Sequence, residues 1–250
     1  MKKLLFISSY DSSFVKSDIG ILGKHFHLDI PKFKKSNRTG FDYLKMILRI
    51  FRGTFNNDLV FCWFADFAGF LAVKAANLFH KKVFVVVGGY EVSNLPGYGG
   101  LNDRKSVKRL TYTLKNATRV ITISDFSKSE IDDLKLDIVP EKISIGVEQQ
   151  NIEFSKFNLI ITSGSVSKEL FKLKGLDIFA QATSNIAGYQ FKIIGPFDEE
   201  IKQQLLAINP QIEFTGKLSH KQFLELIKKA KVYCQFSQRE SFGLAILEAM

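Results

Sequence analysis

The sequence predicts an α/β protein with two doubly wound parallel sheets, the second of them incomplete. Short apolar runs alternate with amphipathic segments of helical length along almost the whole chain, which is typical of βαβ units. Some runs are apolar without a break, as in residues 83–87, and such runs suit strands that are buried on both faces of a parallel sheet. A polar stretch at residues 146–157 fits neither a strand period nor a helix period. Together these observations predict two Rossmann-like domains, at residues 1–150 and 151–250.

The predicted strands form two series. The first series lies at residues 3–8, 58–64, 82–88, 119–124 and 142–145. The second series lies at residues 158–163, 190–195, 211–215 and 231–236. No Gly or Asn follows the final helical pattern, which runs to Met250, and the second series is short for a doubly wound domain. We therefore expect the second domain to be truncated.

Helices are predicted between the strands. Amphipathic patterns place three of them at residues 40–52, 66–79 and 103–116. Two more are predicted from capping boxes, Ser127-x-x-Glu130 and Ser219-x-x-Gln222. In this motif the serine hydroxyl accepts a hydrogen bond from a backbone N–H of the first turn, so each serine is expected to begin a helix.

Composition and charge narrow the classes of partner. The net charge of +10 favours anionic partners, although compositional drift explains it equally well. The interleaved basic and aromatic motif of an RNA-binding sheet does not occur, so we expect no specific nucleic-acid binding. Cys62 and Cys234 lie in apolar runs without a Cys/His cluster, which predicts free thiols in a reducing, cytoplasmic compartment and no metal site. The longest apolar stretch, residues 59–73, is shorter than the ~20 residues of a membrane-spanning helix.

The last eleven residues are the most informative segment of the chain. Glu240 and Glu248 bracket a Phe-Gly pair, and an apolar strand-like run precedes them. A helix that opens near Gly243 would point unpaired N–H groups at a phosphate. Glu248 would lie roughly 7–8 Å further along that helix, at ~1.5 Å per residue, where its carboxylate can accept hydrogen bonds from a ribose diol. The alternative is two solvated acids at the ends of a helix.

Taken with the strand–helix alternation, this segment resembles the GT-B glycosyltransferases, specifically the retaining family 4 (group 1). The E-x-F-G-x-x-x-x-E-A-M frame of that family is occupied by Glu240, Phe242, Gly243, Glu248, Ala249 and Met250. Further segments similar to the family are Lys-Gly-Leu-Asp at 174–177, Phe-Lys-Ile-Ile-Gly at 191–195 and Phe-Thr-Gly-Lys-Leu at 214–218. In the first half, residues 85–91 and 120–124 resemble strands of the family's N-terminal domain.

The resemblance implies a donor site in the second domain. Glu248 would hold the ribose hydroxyls, Lys174 would counter the diphosphate charge, and Glu240 would lie near the donor sugar as the catalytic residue. The backbone amides that would hold the diphosphate are those of Phe242, Gly243 and Leu244. The strand-end positions that complete the donor site are Gly195 and Lys217.

The loop after the strand at 82–88 offers contacts to a sugar or an acceptor. Gly88 and Gly89 allow a ligand to approach the backbone closely, or they form only a tight turn. Glu91 would contact hydroxyls, or it is a surface acid in a loop. The family's usual Arg after the first glycine of the second domain is replaced by Ser165, so Lys168, Lys172 or Lys174 would have to act in its place.

By this resemblance the chain is expected to be a retaining glycosyltransferase of hexosyltransferase type. It would move a sugar from a UDP- or GDP-sugar to a saccharide or lipid-linked acceptor in cell-surface polysaccharide synthesis, with no cofactor and no metal. The alternatives are a sugar-nucleotide epimerase of the same fold and an inactive nucleotide-binding fragment. A basic amphipathic helix that carries Lys45, Arg49 and Arg52 suggests peripheral contact with the inner face of the membrane, or it is an ordinary solvated face. The four histidines have no ligand spacing and receive no role.

Overall fold

The chain divides into two compact units. A computed structural model describes residues 1–33, 39–147 and 155–250. Unit 1 is Met1–Ile145 and unit 2 is Gly146–Met250. The domain boundary expected after residue 150 falls on residues 148–154, which lie outside the described residues.

The sheet of unit 1 contains six parallel strands among the described residues, in the order β2-β1-β3-β4-β5-β6. These strands are β1 (Lys3–Ser8), β2 (His27–Asp29), β3 (Leu59–Trp63), β4 (Lys82–Val87), β5 (Arg119–Thr122) and β6 (Glu141–Lys142). The sequence did not predict β2, because His-Leu-Asp is too short and too polar to show a strand period. The strand expected at 142–145 is displaced to β6, since the chain leaves the sheet after Ile143 donates its N–H to the Thr122 carbonyl at 2.8 Å.

Helices lie between these strands, and most begin at a side-chain cap. They are α1 (Ser13–Leu22), α2 (Gly40–Asn56), α3 (Phe67–Leu78), α4 (Arg104–Asn116) and α5 (Asp125–Asp132). The carboxylate of Asp66 accepts hydrogen bonds from the Ala68 and Gly69 N–H groups and so begins α3.

The predicted start of α5 at Ser127 is wrong. Ser124 caps this helix, and its hydroxyl accepts the N–H of Ser127 at 3.0 Å. Strand β5 ends at Thr122, so the chain turns into the helix three residues earlier than the Ser127-x-x-Glu130 pattern indicated. Ser127 is therefore a buried residue of the first turn.

The core of unit 1 lies between its sheet and helices α2, α3 and α4. Small side chains on α3, among them Ala68, Ala72 and Ala76, let this helix approach the sheet closely. The thiol of Cys62 is free and fully buried in β3. Burial raises the pKa of this thiol well above its usual value, and the charges of Asp66 and Glu91 raise it further.

Unit 2 has a smaller parallel sheet, with four strands in the described residues and the order β10-β7-β8-β9. The strands are β7 (Phe157–Ser163), β8 (Gln190–Ile194), β9 (Ile212–Phe214) and β10 (Ala230–Cys234). The helices are α6 (Leu176–Thr183), α7 (Glu199–Ile208), α8 (His220–Lys229) and α9 (Leu244–Ala249). Ser219 begins α8 by the predicted capping box, in which its hydroxyl accepts from Gln222 and the Gln222 side chain accepts from its N–H.

Both faces of this second sheet are covered. Ile160 packs in one apolar cluster with residues of α6 and α7, whereas its neighbour Ile161 packs in another with Ile227 of α8. Alternating side chains of one strand thus enter two cores, as the doubly wound arrangement requires. The predicted fold class, two α/β units with parallel sheets, is confirmed.

None of the helices in residues 1–33, 39–147 and 155–250 combines the length and the apolar character that a membrane span requires.

Two phenylalanines of unit 2 give a matched test of the core. The side chain of Phe191 in β8 is 0% exposed, whereas that of Phe157 in β7 is 61% exposed. We expect Phe191→Ala to lower the free energy of unfolding of unit 2 by about 3–5 kcal/mol, because it leaves a cavity as well as losing buried apolar surface. Phe157→Ala should change it by about 0.5 kcal/mol or less. Urea unfolding followed by circular dichroism measures both, and equal losses would contradict this assignment of the core.

Candidate functional site

Backbones meet closely at the carboxyl ends of the strands of unit 2. In an open parallel sheet this is the edge at which ligands bind. The N–H of Gly164 donates to the Ile194 carbonyl at 2.9 Å, and the N–H of Gly195 donates to the Gly216 carbonyl at 3.1 Å. A Cβ atom at Gly195 would overlap the Gly164 carbonyl oxygen. Only glycine therefore fits at this predicted donor-site position. Lys217 follows Gly216 in sequence, so the hydrogen bond between Gly195 and Gly216 keeps the Lys217 backbone near Gly195.

A chain of hydrogen bonds runs along the same edge. The Nζ of Lys174 donates to Oε1 of Glu240 at 2.6 Å, and the Nε2 of Gln235 donates to the same oxygen at 3.0 Å. The Tyr233 hydroxyl donates to Oε1 of Gln235 at 2.8 Å and lies 2.7 Å from the Ser163 hydroxyl. The side chains of Lys174 and Glu240 are 29% and 28% exposed, so a ligand can reach the ion pair from solvent. The structure thus brings together the predicted diphosphate-binding lysine and the predicted catalytic glutamate.

A left-handed glycine fixes the position of Lys174. Gly175 has φ +63°, and a Cβ atom there would overlap the carbonyl oxygen of Phe236. The N–H of Gln238 donates to the Leu173 carbonyl at 2.9 Å and ties the same two loops together. The loop before α6 is therefore packed directly on the loop that carries Glu240.

The pKa of the Tyr233 hydroxyl is raised by burial and by the charges of both predicted acids. Burial raises the pKa of its hydroxyl to about 12, the Ser163 hydrogen bond opposes this rise, and the charges of Glu240 and Glu248 add to it. The hydroxyl consequently stays protonated and can donate to Gln235. The charges of both acids therefore act on one tyrosine of β10.

Glu248 lies in α9 and has a partner that the sequence did not suggest. The helix begins after Gly243, which has φ +76°, so the expected opening at Gly243 is observed, and Phe242 and Leu244 flank this glycine. An Oε1 oxygen of Glu248 lies 2.6 Å from Nε2 of His220, the first residue of α8. The Glu248 side chain is only 7% exposed, whereas that of His220 is 50% exposed. His220, which received no role above, is thus the side chain that orients the predicted ribose-binding acid.

A buried arginine also adjoins the site. Arg239, next to Glu240 in sequence, is buried and donates from Nη1 to the Ser241 hydroxyl at 3.1 Å. The sequence analysis considered an arginine only at position 165, where this chain has Ser165. Arg239 could have been recognised from the sequence, because it directly precedes the predicted catalytic Glu240.

In unit 1 the predicted contact residues form a compact turn. The carboxylate of Glu91 accepts hydrogen bonds from the N–H groups of Ala65 at 3.0 Å, Gly88 at 3.2 Å and Gly89 at 2.9 Å. Glu91 is buried, so the alternative of a surface acid is wrong. Burial raises its pKa, the backbone hydrogen bonds from Ala65 and Gly88 oppose that rise, and the charge of Asp66 adds to it. A Cβ atom at Gly88 would lie 2.5 Å from the Phe64 ring, which makes glycine necessary there.

The basic side chains of α2 lie on an exposed surface. Lys45, Arg49 and Arg52 are all exposed. The Nη1 of Arg49 donates to the Lys32 carbonyl at 2.6 Å, and the ammonium of Lys45 lies 4.2 Å from the centre of the Phe41 ring. Large apolar side chains of the same helix are exposed as well, namely Phe41, Leu44 and Leu48.

Solved structures with the same fold include carbohydrate-active enzymes. HepE from Anabaena, solved with UDP and glucose, is 13% identical with a TM-score of 0.72, covering 100% of this chain and 78% of that chain. The sucrose-phosphate synthase of Thermosynechococcus elongatus is 13% identical with a TM-score of 0.77, covering 100% and 79%. A Listeria monocytogenes protein assigned as a UDP-N-acetylglucosamine 2-epimerase is 12% identical with a TM-score of 0.61, covering 92% and 73%. No protein of curated function matches the chain in sequence.

The chain shares with these solved structures the GT-B fold, which has two α/β units with parallel sheets. Residues 147–250 match the model of the family described as "Glycosyl transferases group 1". The match covers unit 2, which contains Lys174, Glu240 and Glu248.

Two left-handed glycines of unit 2 test the loop contact. We expect Gly175→Ala to destabilise unit 2 by more than the ~1–2 kcal/mol of a left-handed alanine, because the new methyl group also collides with Phe236. Gly188 has a similar φ of +78° but open space around it, so Gly188→Ala should show the backbone cost alone. Urea unfolding gives both values. Equal costs would show that the contact with Phe236 does not constrain the loop.

Proposed function

We propose that the chain is a retaining glycosyltransferase that moves a hexosyl group from a UDP-sugar, or less readily a GDP-sugar, to a saccharide or lipid-linked acceptor in cell-surface polysaccharide synthesis. The observation that carries the proposal is the contact between Lys174 and Glu240 at the carboxyl edge of the sheet of unit 2. The preference for uridine is supported by the UDP in the HepE structure, a protein of the same fold.

The donor would be held along that edge. Glu248, already directed by His220, would accept hydrogen bonds from the ribose diol. The amides of Phe242, Gly243 and Leu244 would face the diphosphate. Gly195 and Lys217 would border the donor at the adjacent strand ends, where the bare backbone of Gly195 lets a ligand approach closely.

The chemistry needs a cation near the leaving group. When the bond between the anomeric carbon and the diphosphate oxygen breaks, negative charge develops on the nucleoside diphosphate, and the ammonium of Lys174 would stabilise it. The partly exposed ion pair with Glu240 is weak enough for diphosphate oxygens to compete for the lysine. Glu240 would then face the donor sugar. We propose that the lysine and the backbone amides hold the diphosphate without a metal or other cofactor.

Single substitutions of the two acids separate binding from turnover. We expect Glu248→Ala to weaken UDP binding about 10–100-fold, because a hydrogen bond to a charged group contributes ~1.5–3 kcal/mol. Glu240→Ala should lower kcat much more than it weakens UDP binding. Isothermal titration calorimetry and a sugar-transfer assay measure these effects.

The control for this experiment is Glu225→Ala, which removes an exposed acid of α8. It should leave both UDP affinity and turnover unchanged. If Glu248→Ala and Glu240→Ala behave like this control, the proposed donor site is wrong.

An epimerase is the second candidate function. Its support is the structural similarity to the Listeria protein assigned as a UDP-N-acetylglucosamine 2-epimerase. An epimerase would isomerise a UDP-sugar without an added acceptor, whereas a glycosyltransferase requires the acceptor to form product. UDP binding with neither reaction would indicate a nucleotide-binding fragment instead.

We further propose a cytoplasmic location with peripheral contact to the inner face of the membrane through α2. The free thiol of Cys62 suits a reducing compartment. Exposed Leu44 and Leu48 lie on the same helix as the basic Lys45 and Arg52, an arrangement that suits an anionic bilayer surface.

Charge reversal on α2 tests the membrane contact. We expect the double variant Lys45→Glu/Arg52→Glu to lose binding to phosphatidylserine-containing vesicles in a flotation assay, since each basic residue near such a surface contributes ~1 kcal/mol. The control is Lys108→Glu/Lys115→Glu on α4, which changes the net charge equally and should retain binding. Equal loss in both variants would indicate a nonspecific effect of net charge.

A further inference from the structure

The carboxylate of Glu240 accepts a hydrogen bond from a second side chain, that of Gln235, which has no role in the donor site proposed above. Within residues 155–250, the side chains that donate to Oε1 of Glu240 are Lys174 at 2.6 Å and Gln235 at 3.0 Å. Gln235 directly follows β10, and its side chain is half-buried. One donor is therefore a cation, which a diphosphate attracts, whereas the other is a neutral amide.

The amide of Gln235 is held in one orientation. Its Nε2 donates to the Ser237 hydroxyl as well as to Glu240, and its Oε1 accepts from the Tyr233 hydroxyl at 2.8 Å. A carboxamide has two N–H donors and one carbonyl acceptor, so both donors and the acceptor are engaged. Turning the amide over would place its oxygen against the Glu240 carboxylate and would lose the hydrogen bond from Tyr233. The tyrosine thus keeps the N–H groups directed at Glu240.

Tyr233 is itself held by the sheet. Its ring packs in the apolar cluster that contains Ile161, the residue that it faces in the pairing of β10 with β7. Its hydroxyl lies 2.7 Å from the Ser163 hydroxyl. Because the Tyr233 hydroxyl donates to Gln235, the Ser163 hydroxyl donates to Tyr233. A directed chain of hydrogen bonds therefore starts at the end of β7 and finishes at Glu240.

Donor binding would remove one of the two partners of Glu240. A diphosphate carries more negative charge than a single carboxylate, so it competes with Glu240 for the ammonium of Lys174. The Glu240 side chain is 28% exposed and would be free to turn into solvent or to follow the lysine. The amide of Gln235 is uncharged, and its oxygen is tied through Tyr233 to the sheet. It can therefore stay on Glu240 when the lysine leaves.

We propose that Gln235 is a positioning residue, which holds Glu240 at the donor sugar once the diphosphate has taken Lys174. Tyr233 is a second positioning residue, which acts through the amide of Gln235. Both roles rest on the proposed function, because they presuppose that Glu240 faces the sugar. Neither Gln235 nor Tyr233 has to touch the donor, so their effect on turnover should exceed their effect on nucleotide binding.

The kinetics of sugar transfer, together with calorimetric titration of UDP, test the role of Gln235. Gln235→Met keeps an unbranched side chain of similar length and removes both N–H donors. We expect kcat to fall about tenfold, which corresponds to one hydrogen bond to a charged group. The Kd for UDP should stay within about twofold, because ground-state binding is not affected. The matched control is Gln204→Met, at an exposed position of α7, which should change neither value.

Tyr233→Phe distinguishes an action through Gln235 from simple packing. This variant keeps the ring and removes only the hydroxyl, so the amide is free to turn over. We expect kcat to fall about threefold to fivefold. In the Gln235→Met background the same substitution should have no further effect on kcat, because the amide through which it acts is absent. An equal loss in both backgrounds would overturn the proposed action of Tyr233 through Gln235.

A crystal structure of the unchanged chain with UDP tests the exchange of partners without any substitution. We expect Nζ of Lys174 at a diphosphate oxygen, and Nε2 of Gln235 still about 3 Å from the Glu240 carboxylate. This experiment keeps the proposal testable if Gln235→Met fails to fold, which a thermal melt would detect. Lys174 still paired with Glu240, or Glu240 turned away from Gln235, would overturn the proposal.

The outcomes separate the positioning role from the proposed function. Sugar transfer with a kcat that Gln235→Met leaves unchanged would overturn the positioning role and leave the proposed function standing. A UDP complex in which Gln235 alone holds Glu240, in a chain that transfers no sugar, would retain the exchange of partners and contradict the proposed function. A chain that does not bind UDP would contradict both.

Discussion

The packing of Gly175 on the Phe236 carbonyl is the contact on which the candidate donor site depends. It presses the loop before α6 against the loop after β10, so that Lys174 and Glu240 meet. The two loops come from distant parts of unit 2, and their backbones touch because the residue between them has no side chain. If Lys174 and Glu240 lay further apart, water would solvate each side chain. Neither side chain would then be held in a fixed position at which a ligand could bind.

The two units use carboxylates at their strand ends in different ways. In unit 1 the buried Glu91 accepts three backbone N–H groups and stabilises the turn, because those donors would otherwise be buried without partners. In unit 2 Glu240 accepts from two side chains, Lys174 and Gln235. The first arrangement joins a carboxylate to backbone N–H groups, whereas the second joins side chains of separate loops. This difference is consistent with the candidate donor site being in unit 2.

The family match and the fold similarity describe different parts of this arrangement. The family model covers residues 147–250 and so includes the strand-edge network of unit 2. Unit 1 shares its fold with solved structures at low sequence identity and lies outside the family match. The residues of the candidate donor site therefore lie in the part of the chain that the family model describes.

The sequence by itself determined the fold class, most strands, the start of α8 at Ser219 and the helix that opens at Gly243. These features are encoded within a few residues, as apolar periods, caps and a glycine at a helix end. The tertiary structure decided that Ser124 rather than Ser127 begins α5, because the end of β5 fixes where the chain turns. It also decided that Lys174 pairs with Glu240 across 66 residues and that His220 pairs with Glu248 across 28. Such contacts depend on strand order and on how loops converge at one edge of a sheet, and no local pattern encodes that convergence.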